Sequence, residues 1–162
     1  MKSLLSLLLL ITLMSCAPKL SSHATAAVSV KAGPGSNMEE SILYYINDYR
    51  QSKGLSSLHT LDAATEQAYI HSKDMATGRT GFGHTGFDQR IQAIKRNIGA
   101  AYIPASAENV AEGQISAKEV VEGWLNSPGH RHNIEGNYTL TGIGIYKDRE
   151  GTLYFTQIFL RK

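Results

Sequence analysis

Apolar residues recur at helical spacing as the body of the chain begins: Met38, Ile42, Tyr45/Ile46 and Tyr49 fall three and four apart, the period that turns one face of a helix toward a core. Ser36 with Glu39 three residues on has the form of a capping box, and Gly54 ends the run. The same period in Leu61, Ala64, Ala68, His71 and Met75 predicts a second helix over 61–77, stopped by Gly78. Phe87, Ile91, Ile94 and Ile98 predict a third, with Asp88 near its start, Lys95 and Arg96 near its end and Gly99 as its stop. A second capping box, Ser116 with Glu119, precedes Ala117, Val120, Val121, Trp124 and Leu125, the buried stripe of a fourth helix. Ser127 is then the N-cap, and Pro128 the first residue, of a short final helix that carries His130 in its first turn.

The period switches to two in the last quarter. Thr141-Gly142-Ile143-Gly144-Ile145-Tyr146 alternates strictly, 153–160 is β-rich and apolar on both sides, and 147–151 is the polar turn between them. Gly142 and Gly144 share one face of their strand and let another element approach closely. The stretch 105–113 reads as extended, which places Glu108, Val110 and Glu112 on one face and Asn109 and Ala111 on the other. Four or five helices before a short sheet, with helices on both of its sides, make an α+β layering.

The first 37 residues follow neither period. Residues 1–16 carry Lys2, an apolar run and a terminal Ser15-Cys16, the form of a secretory signal too short to span a bilayer as a stable helix. Leu13-Met14-Ser15-Cys16 resembles a bacterial lipobox, whose Cys is acylated and becomes the first mature residue. Buried acyl chains supply about 0.8 kcal/mol per CH₂, so the expected partner at Cys16 is a lipid bilayer. Residues 17–37 are rich in Ala, Ser, Gly and Pro and read as a flexible tether in which His23 is solvated. The folded domain is expected over 38–162.

Composition narrows the chemistry. The 162 residues are 42% hydrophobic and 19% charged, with a formal net charge of only +2, which fits one globular domain and argues against nucleic acid as a partner. Cys16 is the only cysteine, so the domain has no disulfide, thiolate metal site or cysteine nucleophile. Titratable candidates cluster late. The glycine-rich loop Gly78-Arg79-Thr80-Gly81-Phe82-Gly83-His84-Thr85-Gly86 holds His84, and 106–134 holds Glu108, Asn109, Glu122, His130, His132 and the single Trp. On spacing alone, His71 reads as a hydrogen-bonded core residue, and Glu122 and His132 as surface. At a helix N-terminus, His130 tends to stay neutral, as a metal ligand or hydrogen-bond acceptor must.

Phe82-Gly83-His84-Thr85, Ala107-Glu108-Asn109-Val110-Ala111, Val121-Glu122-Gly123-Trp124-Leu125-Asn126-Ser127-Pro128-Gly129-His130-Arg131 and Thr141-Gly142-Ile143-Gly144 resemble, in order, the motifs of the bacterial branch of the CAP superfamily. Its eukaryotic members include the cysteine-rich secretory proteins, venom antigen 5 and the pathogenesis-related proteins. The resemblance implies an α-β-α sandwich with a short, mainly antiparallel sheet between helical layers. It also implies a cleft in which His84, Glu108 and His130 hold zinc or another divalent cation, lined further by Asn109, Ser127 and His71. Ser127 stands where many eukaryotic members carry a second Glu, and Ala107 where the motif has Gly.

Two His and one Glu are enough for an open zinc site, but hydrolysis needs a further base. Glu108 and Glu112 are the candidates, and the catalytic assignment stays open. The leading expectation is therefore a surface-tethered binding module for a divalent metal or a small lipid-like or sterol-like ligand. A metal-dependent hydrolase of the envelope or host surface, and a structural or adhesive surface protein facing a host or envelope component, are the alternatives. The expected location is extracytoplasmic and lipid-anchored. Ala17 after Cys16 lacks the Asp that retains lipoproteins at the inner membrane, which favours the outer membrane where one exists.

Overall fold

The segment read as apolar on both faces becomes the middle of the sheet. The computed structural model describes residues 37–162. The leader, most of the tether and the assignments made for Cys16, Ala17 and His23 lie outside the described residues. In chain order the elements are α1 (Met38–Ser52), β1 (His59–Thr60), α2 (Asp62–Ala76), α3 (Phe87–Asn97), β2 (Ala105–Glu112), α4 (Ala117–Asn126), α5 (Pro128–Glu135), β3 (Leu140–Lys147) and β4 (Leu153–Arg161). The sheet runs β1-β3-β4-β2. β4 is antiparallel to both β3 and β2, with Ile158 opposite Gly142 and Glu108, and only the two-residue β1 is parallel to its neighbour. Residues 155–160 of β4 are all buried, as a strand covered on both faces requires.

Helices cover the two faces. Ile42 and Ile46 of α1, Val120, Val121 and Trp124 of α4 and Ile134 of α5 pack on one side against Ile143, Phe155 and Phe159. Ala63, Ala64 and Ala68 of α2 with Ile91 and Ile94 of α3 pack on the other against Ile158 and Leu160. The Trp124 indole N–H donates to the Val110 carbonyl at 3.1 Å, so its one polar atom is satisfied at 1% exposure. The second layer uses small residues because α2 lies directly on β3. A Cβ on Gly142 would strike the Ala64 and Thr65 backbone, and one on Gly144 the Ala68 and Tyr69 backbone.

Three features depart from the sequence reading or escape it. The first helix is capped by Asn37, not by a Ser36–Glu39 box. Asn37 has extended backbone, and its Oδ1 accepts the Glu40 N–H at 2.8 Å, which puts the acidic third position at Glu40. The Ser116 box forms as read, with Ser116 Oγ accepting the Glu119 N–H at 3.2 Å while the Glu119 carboxylate accepts the Ile115 N–H at 2.9 Å. β1 is too short to leave a periodic signal. Finally, Arg50 is 2% exposed and is held by backbone oxygens. It donates to the carbonyls of Ser56 (2.9 Å), Ile134 (2.6 Å), Gly136 (3.0 Å) and Tyr138 (3.2 Å), joining α1 to the negative end of α5.

Candidate functional site

Glu108, midway along β2, is 5% exposed, and a buried carboxylate needs partners for both oxygens. Arg90 of α3 supplies two of them, Nε to Oε2 at 2.8 Å and Nη2 to Oε1 at 2.7 Å, a bidentate pair. Arg90 Nη1 also donates to the Thr85 carbonyl at 2.8 Å, so the same guanidinium holds the glycine-rich loop. That loop carries His84, whose Nδ1 lies 3.0 Å from Glu108 Oε1. An ionised carboxylate can only accept, so Nδ1 is assigned the proton and the Nε2 lone pair is left free. The His84 side chain is 54% exposed.

His71 closes the network from α2. It is 1% exposed, its Nε2 is 2.7 Å from the Gly83 carbonyl and 3.8 Å from Glu108 Oε1. With Nε2–H donated to Gly83, this imidazole is a strut beneath the loop and lines no open space. Burial pushes its pKa below the ordinary value of 6.5; the Gly83 carbonyl and the Glu108 charge act upward, Arg90 and His84 downward. His71 is therefore neutral in the fold, while in the unfolded chain it takes a proton below about pH 6.5. Stability from this group is complete above that value and falls as pH drops through 6.5 toward the lower folded pKa, at up to about 1.4 kcal/mol per pH unit. Urea midpoints measured from pH 8 to 5 should be flat and then decline, and a His71→Gln variant should flatten the decline. A profile identical to the parent's would assign the acid sensitivity elsewhere.

Asn109 points away from Glu108 and is fully buried. Its Nδ2 donates to the His130 carbonyl at 3.1 Å and its Oδ1 accepts Asn133 Nδ2 at 2.9 Å, while Asn133 also reaches the Glu108 carbonyl at 3.2 Å. This amide pair fixes the first turn of α5 against β2 and so positions His130; it does not line a cleft. The His130 pKa is lowered by burial first and by repulsion from His84 second. Ser127 is the N-cap residue of α5, but its side chain makes no capping bond. Glu112 sits exposed at the end of β2, opposite Tyr154. It is four residues, roughly 13 Å, from Glu108, so it cannot serve as a base beside His84.

Among the described residues no group of three or more His, Cys, Asp or Glu side chains is arranged to hold a metal. Of the set His84, Glu108 and His130, Glu108 already accepts three bonds, Oε1 from Arg90 and His84 and Oε2 from Arg90. Glu108 stands behind the His84 imidazole and orients it, in the manner of the carboxylates behind metal-binding histidines. Arg90 and Asn133 were missed in the sequence. Arg90 had left one signal: it falls three residues after Phe87 and four before Ile94, a charge on the apolar stripe of its helix. Asn133 had left none.

The model of the cysteine-rich secretory protein (CAP) family matches residues 43–159. The chain is 32% identical over 149 residues to the uncharacterized protein YkwD of Bacillus subtilis strain 168, covering 90% of this chain and 54% of that one. It is also 32% identical over 127 residues to the uncharacterized membrane protein YlbC of the same strain, covering 76% and 34%. The chain thus spans about half, or less, of these curated relatives. Among solved structures, an extracellular SCP-domain protein of Bacillus anthracis superposes with a TM-score of 0.63 at 28% identity, covering 81% of this chain and 45% of that one. An outer surface protein of Borrelia burgdorferi superposes with 0.64 at 24%, covering 75% and 90%, and shares the fold. No helix among the described residues is long and apolar enough to cross a membrane.

Proposed function

We propose, from the premise that this chain belongs to the CAP family of cysteine-rich secretory proteins, that it is an extracytoplasmic binding module whose paired imidazoles, His84 and His130, take a divalent transition metal such as zinc. The observation that carries this reading is the His84–Glu108 bond at 3.0 Å. It leaves the Nε2 lone pair of a half-exposed ring free on the side away from Glu108, and burial favours the neutral, ligating form of His130. A bound ion would supply a positive, Lewis-acidic anchor for an oxygen of the ligand. The residues themselves orient and insulate: Arg90 fixes Glu108, Glu108 fixes His84, and Asn109 with Asn133 fixes the turn that bears His130.

Two protein ligands leave most of the coordination shell to water, so the affinity is expected to be weaker than that of closed four-ligand sites. A hydrolase reading has less support, because Glu108 is clamped and Glu112 is remote. Phe82, 54% exposed two residues before His84, supports a small apolar ligand as a second occupant. The signal and lipobox sequence supports a position on a membrane surface through acylated Cys16, at the outer membrane in a cell that has one.

Zinc titrated calorimetrically into the protein should bind at one ion per chain, and His84→Ala and His130→Ala should each weaken it by about tenfold or more. Unchanged zinc binding in folded His84→Ala would remove the metal reading and leave the apolar ligand.

A further inference from the structure

One tripeptide in the connection between α5 and β3 serves neither the sheet nor the candidate site with its outer side chains. Asn137-Tyr138-Thr139 is the only Asn-x-Ser/Thr in the chain, the acceptor form for N-linked glycosylation, which calls for a surface loop in an exported protein. Glu135 stands two residues ahead of Asn137. The five residues therefore also fit the longer acidic form, Asp/Glu-x-Asn-x-Ser/Thr, whose carboxylate gives a transferase a charged contact beside the acceptor.

The fold presents this stretch as the chemistry needs it. The Tyr138 N–H donates to the Gly136 carbonyl at 2.9 Å, a three-residue turn with Asn137 at its apex. Tyr138 folds inward: its ring lies where a Cβ on Gly136 would be, and its centroid is 5.6 Å from that of Phe159. Arg50 holds the segment through the carbonyls of Gly136 and Tyr138, at 3.0 and 3.2 Å. Asn137 and Thr139, on either side of the inward ring, are both exposed. Among the described residues neither the Asn137 amide nor the Thr139 hydroxyl has a hydrogen-bond partner, whereas Asn109 and Asn133 have their amides bound between β2 and α5. Glu135 is exposed as well, with Oε1 accepting the Tyr49 hydroxyl at 2.6 Å.

We infer that Asn137 is a site of N-linked glycosylation, modified on the extracytoplasmic side of a membrane by a transferase that uses an oligosaccharide linked to a polyprenyl diphosphate. Nδ2 forms a bond to C1 of the first sugar as the bond from C1 to the diphosphate oxygen breaks. The polyprenyl diphosphate leaves with that electron pair, and one Nδ2 proton passes to a base of the transferase. Nothing is oxidised or reduced. The Asn137 amide can turn for this attack because no bond of the fold holds it, and the Thr139 hydroxyl is open to be read beside it. The sugar then projects outward from the apex of the turn, so the fold is the same with and without it. The inference rests on the extracytoplasmic reading and is independent of metal binding.

The test is peptide mass spectrometry on the full chain purified from the membranes of its source cells. The peptide that contains Asn137 should carry added saccharide mass, and fragmentation should place it on that residue. Asn137→Gln and Thr139→Ala, expressed in the same cells, should lose the added mass entirely, whereas Thr139→Ser, which keeps the hydroxyl, should retain it. None of these substitutions removes a bond of the fold, so each variant should be recovered folded. Loss of the leader ahead of Cys16, read on the N-terminal peptide of the same sample, reports export. Bare Asn137 on an exported chain overturns the inference, as does a saccharide that persists in Thr139→Ala. A chain that keeps its leader and carries no sugar overturns the extracytoplasmic reading, and this inference with it.

Discussion

Glu108→Ala is expected to destabilise the protein by about 3–5 kcal/mol, the range for removing one partner of a buried ion pair. Arg90 is 7% exposed, and its charge would remain inside with only the Thr85 and His84 carbonyls to answer it. A urea titration should show a lowered midpoint at unchanged slope. The double variant Glu108→Met/Arg90→Met separates two explanations, because it removes the pair without orphaning a charge and should recover most of the loss. A single-variant loss below about 1 kcal/mol, the scale of a surface pair, would show that the guanidinium finds water when its partner is gone. In whatever fraction of Glu108→Ala folds, zinc affinity should also drop, by about 10- to 100-fold, through loss of the group that orients His84.

Gly144→Ala should cost about 3 kcal/mol or more, the upper end for overpacking a core. Nothing about backbone angle is involved, since Gly144 is not among the glycines with positive φ. The obstacle is that the nearest atoms to the new Cβ belong to the Ala68 and Tyr69 backbone, which no rotamer change can move. α2 would have to lift from β3, opening the layer that contains His71. Gly123→Ala is the matched control. A Cβ there meets nothing within 4 Å, the position is exposed in the body of α4, and helix propensity predicts a gain approaching 1 kcal/mol. The same substitution should thus move thermal unfolding in opposite directions at the two sites; a mild effect at Gly144 would show that α2 is not seated on that strand.

That contrast bears on what the sequence could disclose. The two glycines on one strand face announced a close approach, but not that α2 was the element approaching. The helices were legible because each buries a stripe at its own period, and the Ser116 box and the Pro128 start are written in adjacent residues. β1 was not, because two residues have no period and its pairing with Thr141 depends on a neighbour 81 positions away by the numbering of that pair. The candidate site divides in the same way. His84, Glu108 and His130 could be singled out by residue type and motif, whereas their roles could not. The lone pairs of Glu108 are assigned by Arg90, 18 residues distant, and the orientation of α5 by an asparagine pair that any solvated amide would resemble. Chemistry-bearing residues are local facts of a sequence; their protonation and direction are set by whatever the fold brings alongside.

Arg50 has a consequence for the order in which the domain assembles. Three of its four carbonyl acceptors lie 84, 86 and 88 residues further along the chain. α1 is the first element of the domain to leave a ribosome or a translocation pore, yet its buried guanidinium has no lasting partners until the end of α5 and the turn into β3 have emerged. Contacts of such long range delay closure, because the intervening loop must be brought together first. This anchor of α1 therefore stays open until residue 138 has emerged, and a chain threaded across a membrane from its N-terminus would hold α1 unanchored through most of the passage.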